Sequence, residues 1–235
     1  MLVRAVHVDP PAELGERDGL AYALFLPGGP PGGGVVVLHG AGSQKENHYD
    51  FARACRAAGV AAVIFDQRGH GESGGALGGG AIDDVATIAA LLPDGPPRAL
   101  RGSSMGGWLA LAAAAAVGPA AVVAICPASS AQLAEGLRTP GRFAFAADRA
   151  TLEPLLAATD LGAAAAALGE RLLLLHAEDD ESVPVEHSRA LHAGAPGSRL
   201  EVVPGGDHRS VQHDPELQAL SVRFIARRCA AEGRG

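Results

Sequence analysis

Aromatic residues are scarce in this chain, at 4% of its 235 residues, so its core has to be built mainly from alanine, leucine and valine. Basic residues are also in the minority: 19 Lys and Arg against 26 Asp and Glu give a formal charge of −7. Binding to a phosphate backbone needs a clustered positive surface, so nucleic acid is excluded as the expected partner. There are only three cysteines, Cys55, Cys126 and Cys229, widely spaced and without a C-x-x-C. That rules out a disulfide framework or a zinc pattern, and each falls in an apolar stretch where a reduced, buried thiol is expected. No basic segment followed by an apolar one opens the sequence, so no secretory signal is expected. The longest apolar run, residues 108–117, is too short and too rich in alanine to span a bilayer. A cytoplasmic enzyme with no transmembrane segment is the resulting expectation.

What is present fits one globular α/β domain over residues 1–235, with 48% hydrophobic and 19% charged residues. Short β-branched runs at 35–38, 60–65 and 121–125, with further strands at 98–101, 171–176 and 200–203, suit a parallel sheet buried on both faces. Helical stretches at 48–58, 81–92, from about 108, at 185–192 and at 215–228 alternate with them. Residues 2–9 and 20–26 read as a hairpin at the sheet edge. The pattern predicts a doubly wound, mostly parallel sheet of about eight strands. Between 129 and 170 it breaks into alanine-rich helical pieces carrying Phe143, Phe145, Leu152, Leu155 and Leu156. This segment is expected to form a small helical cap over the strand ends.

The segment Arg101-Gly102-Ser103-Ser104-Met105-Gly106-Gly107 places Ser104 at a sharp strand-to-helix turn. Such an elbow projects a serine hydroxyl and aims the following amide, that of Met105, at a developing oxyanion. A second G-x-S-x-G, Gly71-Glu72-Ser73-Gly74-Gly75, sits in a polar loop and opens no helix, so Ser73 is set aside. Residues 69–74 also spell G-x-G-x-x-G, but no helix follows directly, which excludes the dinucleotide fingerprint. His70 and Glu72 imitate the H-x-E of zinc deaminases without any P-C-x-x-C to complete a metal site. No cofactor and no metal is expected.

Ligands of open parallel sheets bind beyond the carboxyl ends of the strands. The Ala41 turn, Ser104, the acidic loop 177–184 and His208 each follow a predicted strand, so all should gather at one edge. A serine becomes nucleophilic when an imidazole takes its proton and a carboxylate orients that imidazole. His208 is the expected base, with His213 as an alternative. His39 is expected to order the Ala41 turn, and His187 and His192 to lie on the surface. Within the crowd Glu178, Asp179, Asp180 and Glu181, the register before Val183-Pro184 favours Asp180 as acid, with Asp179 in reserve. The order serine, acid, histidine suits this fold.

Taken together, His39-Gly40-Ala41-Gly42, residues 66–73, residues 102–107, Asp180 to Pro184 and Asp207-His208 resemble the α/β-hydrolase superfamily. The likeness spans about residues 35–226 and is to small serine esterases, monoacylglycerol lipases and cinnamoyl or feruloyl esterases. It implies Ser104 as nucleophile, Asp180 as acid, His208 as base and an oxyanion hole from the amides of Ala41 and Met105. The implied reaction is cleavage of a small-molecule carboxylic ester through an acyl-enzyme. Thioesterase, amidase or acyltransferase chemistry is the alternative, and a ligand-binding homologue without turnover is a third reading. The resemblance also implies that residues 66–73 form a structural loop. The cap is shorter than in many lipases and poorer in aromatics than a feruloyl-binding cap would be.

Overall fold

The computed structural model describes residues 8–233. Eight strands form one sheet in the order β1-β2-β4-β3-β5-β6-β7-β8. They are β1 (Glu13–Arg17), β2 (Leu20–Phe25), β3 (Gly33–Leu38), β4 (Val60–Phe65), β5 (Arg98–Ser103), β6 (Ala121–Ile125), β7 (Leu172–Ala177) and β8 (Arg199–Val203). All neighbours pair parallel except β1 with β2 and β2 with β4. The helices are α1 (Tyr49–Ala57), α2 (Ala81–Ala89), α3 (Met105–Ala112), α4 (Ala114–Val117), α5 (Ser130–Arg138), α6 (Arg149–Ala158), α7 (Leu161–Leu168), α8 (Val185–Ala193), α9 (Ser210–His213) and α10 (Pro215–Glu232). The expected doubly wound, mostly parallel sheet is what the chain forms. Among the described residues no helix is long and apolar enough to cross a membrane.

Side-chain alternation along the buried strands explains the two layers. Val36 and Leu38 of β3 join the core that contains Val85 of α2 and Leu109 of α3. Val35 and Val37 point the other way, into a core with Phe51 of α1 and Ile225 of α10. Burying both faces of the central strands requires the unbroken apolar runs seen in the sequence.

Three expectations about elements change. The edge hairpin joins β2 to β1 at Glu13–Arg17, not to residues 2–9, of which 2–7 lie outside the described residues and 8–9 are not strand. The turn is Asp18-Gly19, both in the left-handed region at φ 53° and 78°, as a two-residue hairpin turn of type I′ requires. Strand β1 is almost wholly exposed, so it carries no apolar alternation to be read. Helix α3 begins at Met105 rather than Trp108, directly after Ser104. Helix α7, inside the predicted cap segment, packs on α3 and α8 and so belongs to the layer covering the sheet. What lies over the strand ends is α5, α6 and the loop 139–148. Leu77 latches that loop, donating its amide to Ala146 O (2.9 Å) and accepting from the Asp148 amide (2.8 Å).

The loop 66–73 is a charged knot. The fully buried Asp66 carboxylate accepts from the Lys45 amide (2.7 Å), Lys45 Nζ (2.9 Å) and the Glu72 amide (3.0 Å). Lys45 also pairs with Glu46 and Glu72, so although burial works against its charge, the three carboxylates hold its pKa above the usual range. Ser73, from the second G-x-S-x-G, is fully occupied: its hydroxyl donates to Asp66 O (2.5 Å) and accepts from the Ala21 amide (2.9 Å).

Candidate active site

Ser104 has φ 54° and ψ −118°, a conformation that a residue other than glycine adopts only when its surroundings impose it. Close packing imposes it here. A Cβ on Gly102 would lie 1.9 Å from Gly106 O, and one on Gly106 would lie 2.2 Å from Leu38 O. The glycines thus allow α3 to start hard against β5 and β3. The turn is pinned by the Ser104 amide donating to Ile125 O (2.9 Å) and by Ser104 O accepting from the amides of Trp108 (3.0 Å) and Ala128 (3.1 Å). Met105 opens the helix, where an amide has no intrahelical acceptor and faces the positive end of the helix dipole.

Ala41 stands across the cavity in the turn closed by the Ser43 amide on Gly40 O (3.1 Å), with Gly42 at φ 71°. Buried His39 fixes this turn as expected from sequence. Its Nδ1 contacts Gly40 O (2.8 Å), and its Nε2 accepts from the Gln67 amide (3.0 Å), while Gln67 Nε2 donates to His39 O (2.6 Å).

Asp180 is buried at the end of the β7 loop, whereas Asp179 is exposed. Asp180 Oδ1 accepts from the amides of Ser182 and Val183, both at 2.8 Å, and Oδ2 accepts from His208 Nδ1 at 2.7 Å. His176 Nε2 lies 3.4 Å from the same oxygen. Burial opposes the Asp180 charge, but the hydrogen bonds from His176, His208 and the Val183 amide overcome it and hold the carboxyl far below its usual range. Ser104 and His208 both line the same two cavities, one of about 300 Å³ and one of about 240 Å³, with Ala41 also in both walls. No hydrogen bond joins the serine and imidazole in this structure; in resting sites that bond is commonly long and tightens with substrate. Alternative base His213 is exposed and turned to Asp50 Oδ2 (3.4 Å).

The larger cavity is polar, walled by Ser43, Asn47, Arg209 and Gln212. The smaller one is mixed, walled by Ala128, Leu133, Phe143 and Val183 and by Gln132, Arg142 and Ser182. Beneath the cap, Trp108, Leu109, Leu133, Phe145, Leu152 and Leu156 enclose a further apolar void of about 10 Å³, roughly the space of one water.

Two supporting residues escaped the sequence reading. Arg101, fully buried on β5, lies 3.8 Å over the Phe51 ring and donates from Nη2 to Gln212 O (2.9 Å). Ser103 Oγ donates to Gln212 Oε1 (2.6 Å), so the helix following His208 is tied to the strand that carries Ser104. The other is His176, which holds Val183 O through Nε2 (2.8 Å) and meets Ser188 Oγ through Nδ1 (2.7 Å). The signal for His176 was its place as the lone polar residue of the otherwise apolar β7, whereas β5 also carries Arg98 and Ser103 and so singles out no one residue. His187 and His192 are half-buried rather than on the surface, His192 against Ser198 Oγ (2.7 Å).

Cys126 also approaches the pair: its Sγ and the nearest ligand atoms of Asp180 and His208 all lie within 4.8 Å of one another. It is fully buried and forms no part of either cavity wall. Burial foremost, and the neighbouring Asp180 charge, push its thiol far above the ordinary range, although a backbone hydrogen bond to Ala177 works the other way.

Burial pushes His39 down to about 4 and His48 to about 3, so both are neutral in the fold. Unfolded histidine titrates near 6.5 and binds its proton first, so stability falls as pH drops below that value. The loss per group is about 1.4 kcal/mol per pH unit until the folded pKa is reached. The midpoint of urea unfolding is expected to fall steadily from pH 7 to pH 4.5; a constant midpoint would contradict it.

Residues 29–147, just over half of the chain, match the serine aminopeptidase S33 family. The chain belongs to that family of α/β-hydrolases. The chain is 33% identical over 150 residues to the dihydrolipoyllysine-residue acetyltransferase component of the acetoin cleaving system of Pseudomonas putida, covering 62% of this chain and 40% of the relative. It is 32% identical over 101 residues to a monoacylglycerol lipase of Mycolicibacterium smegmatis, covering 40% of this chain and 36% of that one. The matches thus span about two fifths of the curated relatives' length. Its fold is similar to that of Est1E from Butyrivibrio proteoclasticus with bound ferulic acid, with TM-score 0.67, 20% identity, and 92% and 97% of the two chains covered.

Proposed function

We propose that this hydrolase cleaves carboxylic esters through an acyl-enzyme on Ser104. The observation that carries the reading is Ser104 in a strained elbow, opening onto the cavities it shares with a histidine already hydrogen-bonded to buried Asp180. In the first step His208 Nε2 takes the Ser104 proton as Oγ bonds to the acyl carbon, and the oxyanion faces the amides of Ala41 and Met105. The bond to the leaving oxygen then breaks as Nε2–H protonates it. Water, deprotonated by the same nitrogen, attacks the acyl-enzyme and releases the acid and free Ser104.

A second reading has Cys126 as nucleophile, favoured by its approach to Asp180 and His208. Against it stand the lack of access and the raised thiol pKa, since the thiolate is the reactive form. The leaving group also has a competing reading, because the family description names an aminopeptidase and one relative is an acetyltransferase component. Butanoyl donors with p-nitrophenol, thiol and anilide leaving groups separate these chemistries. The ester is expected to show the highest kcat/KM; faster anilide cleavage would reassign the enzyme to amides, and no turnover of any would leave a binding protein.

A further inference from the structure

We propose, resting on the acyl-enzyme reading, that the polar cavity beside Ser104 seats an anionic group, carboxylate or phosphate, on the leaving-group side of the substrate. In a chain of net charge −7, the walls of both cavities contain no aspartate or glutamate at all. They contain Arg209 in the larger one and Arg142 in the smaller one. Most arginines here are tied down: Arg68 to Asp84, Arg138 and Arg149 to Glu153, Arg189 to Glu186, Arg199 to Glu201. Among the described residues the guanidinium groups of Arg209 and Arg142 have no hydrogen-bond or ion-pair partner.

In the same loop Asp207 turns Oδ1 onto the amides of Arg209 and Ser210, both at 2.9 Å; those amides first, and then the Arg209 charge, hold its carboxyl below the usual range, but it makes no bond to the guanidinium. A cleft of one sign in an oppositely charged surface concentrates the complementary ligand. The wall beside Arg209 adds donors: Ser43 accepts from Asn47 Nδ2 (3.1 Å) and so keeps its own proton to donate. Gln212 shapes the floor, its amide held by Ser103 on one side and His213 Nε2 (3.0 Å) on the other.

The side is decided by where apolar lining continues beneath the cap. On the other side of Ser104 the smaller cavity shares Leu133 and Phe143 with the apolar void beneath the cap, which suits it to an acyl chain although Gln132, Arg142 and Ser182 also line it. With the acyl chain there, the leaving group extends toward Arg209.

The test compares the butanoyl ester of glycolate with that of glycolamide, and butanoylglycerol phosphate with butanoylglycerol, with the wild type, Arg209→Gln and Arg142→Gln. At low salt the charged member of at least one pair should have kcat/KM higher by about fivefold or more, mainly through KM. Which pair responds distinguishes carboxylate from phosphate. The preference should vanish in Arg209→Gln and persist in Arg142→Gln. Equal rates for charged and neutral members of both pairs overturn the proposal. So does a preference abolished by Arg142→Gln and not by Arg209→Gln, which would move the anion to the acyl side. Hydrolysis of the neutral esters alone leaves the acyl-enzyme reading standing; if none of the four is cleaved, that reading fails and this proposal falls with it.

Discussion

Ser104→Ala is expected to lower kcat for a butanoyl ester by about 10⁵-fold to 10⁶-fold while leaving the urea midpoint nearly unchanged. Among the described residues the hydroxyl makes no hydrogen bond, and alanine can occupy the same pinned backbone, so the loss falls on chemistry and not on folding. Cys126→Ala is the necessary companion. Its thiol lies outside the cavity walls and is held protonated by burial, so turnover should survive this change, with any cost appearing in stability. Activity retained in Ser104→Ala and abolished in Cys126→Ala would transfer the nucleophile to the cysteine. Steady-state kinetics beside urea titrations on the two variants decide the matter.

Asp180→Asn is expected to reduce kcat by about 10⁴-fold near neutral pH. The reason lies in how the carboxylate is held. Oδ1 accepts two amide protons at 2.8 Å, so the asparagine carbonyl must take that place and its NH₂ must face His208. An N–H there cannot accept from Nδ1–H, which is the bond now made at 2.7 Å. The imidazole is driven to carry its proton on Nε2, where it can no longer take one from Ser104. Nitrogen chemical shifts of His208 should report the tautomer change directly. An Asp180→Asn enzyme within tenfold of wild type would remove Asp180 from the triad.

The site was legible in the sequence wherever the backbone itself demands a residue type. Gly102 and Gly106 have to be glycine for α3 to start against β5 and β3, and that spacing betrays the elbow. Asp180 was separable from Asp179 by register ahead of Val183-Pro184, because its carboxylate reaches forward to the amides of Ser182 and Val183. Illegible were features fixed by partners distant in sequence. The Asp18-Gly19 hairpin was hidden because β1 is solvated on both faces and has no pattern to display. Arg101 and Gln212, more than a hundred positions apart, meet only in the fold. The approach of Cys126 to Asp180 follows from β6 lying beside β7, which no local signal announces. The cap was overextended because α7 is as alanine-rich as its surroundings, and composition does not tell a lid from a layer.

The most direct measurement is peptide mass mapping after treating the folded protein with a fluorophosphonate, which phosphonylates an activated serine. The expected adduct lies on Ser104, is absent in Ser104→Ala and in protein unfolded beforehand, and forms undiminished in Cys126→Ala. A folded, wild-type protein that stays unlabelled at Ser104, or that carries a trapped acyl group on Cys126 after exposure to a butanoyl ester, would contradict the serine mechanism.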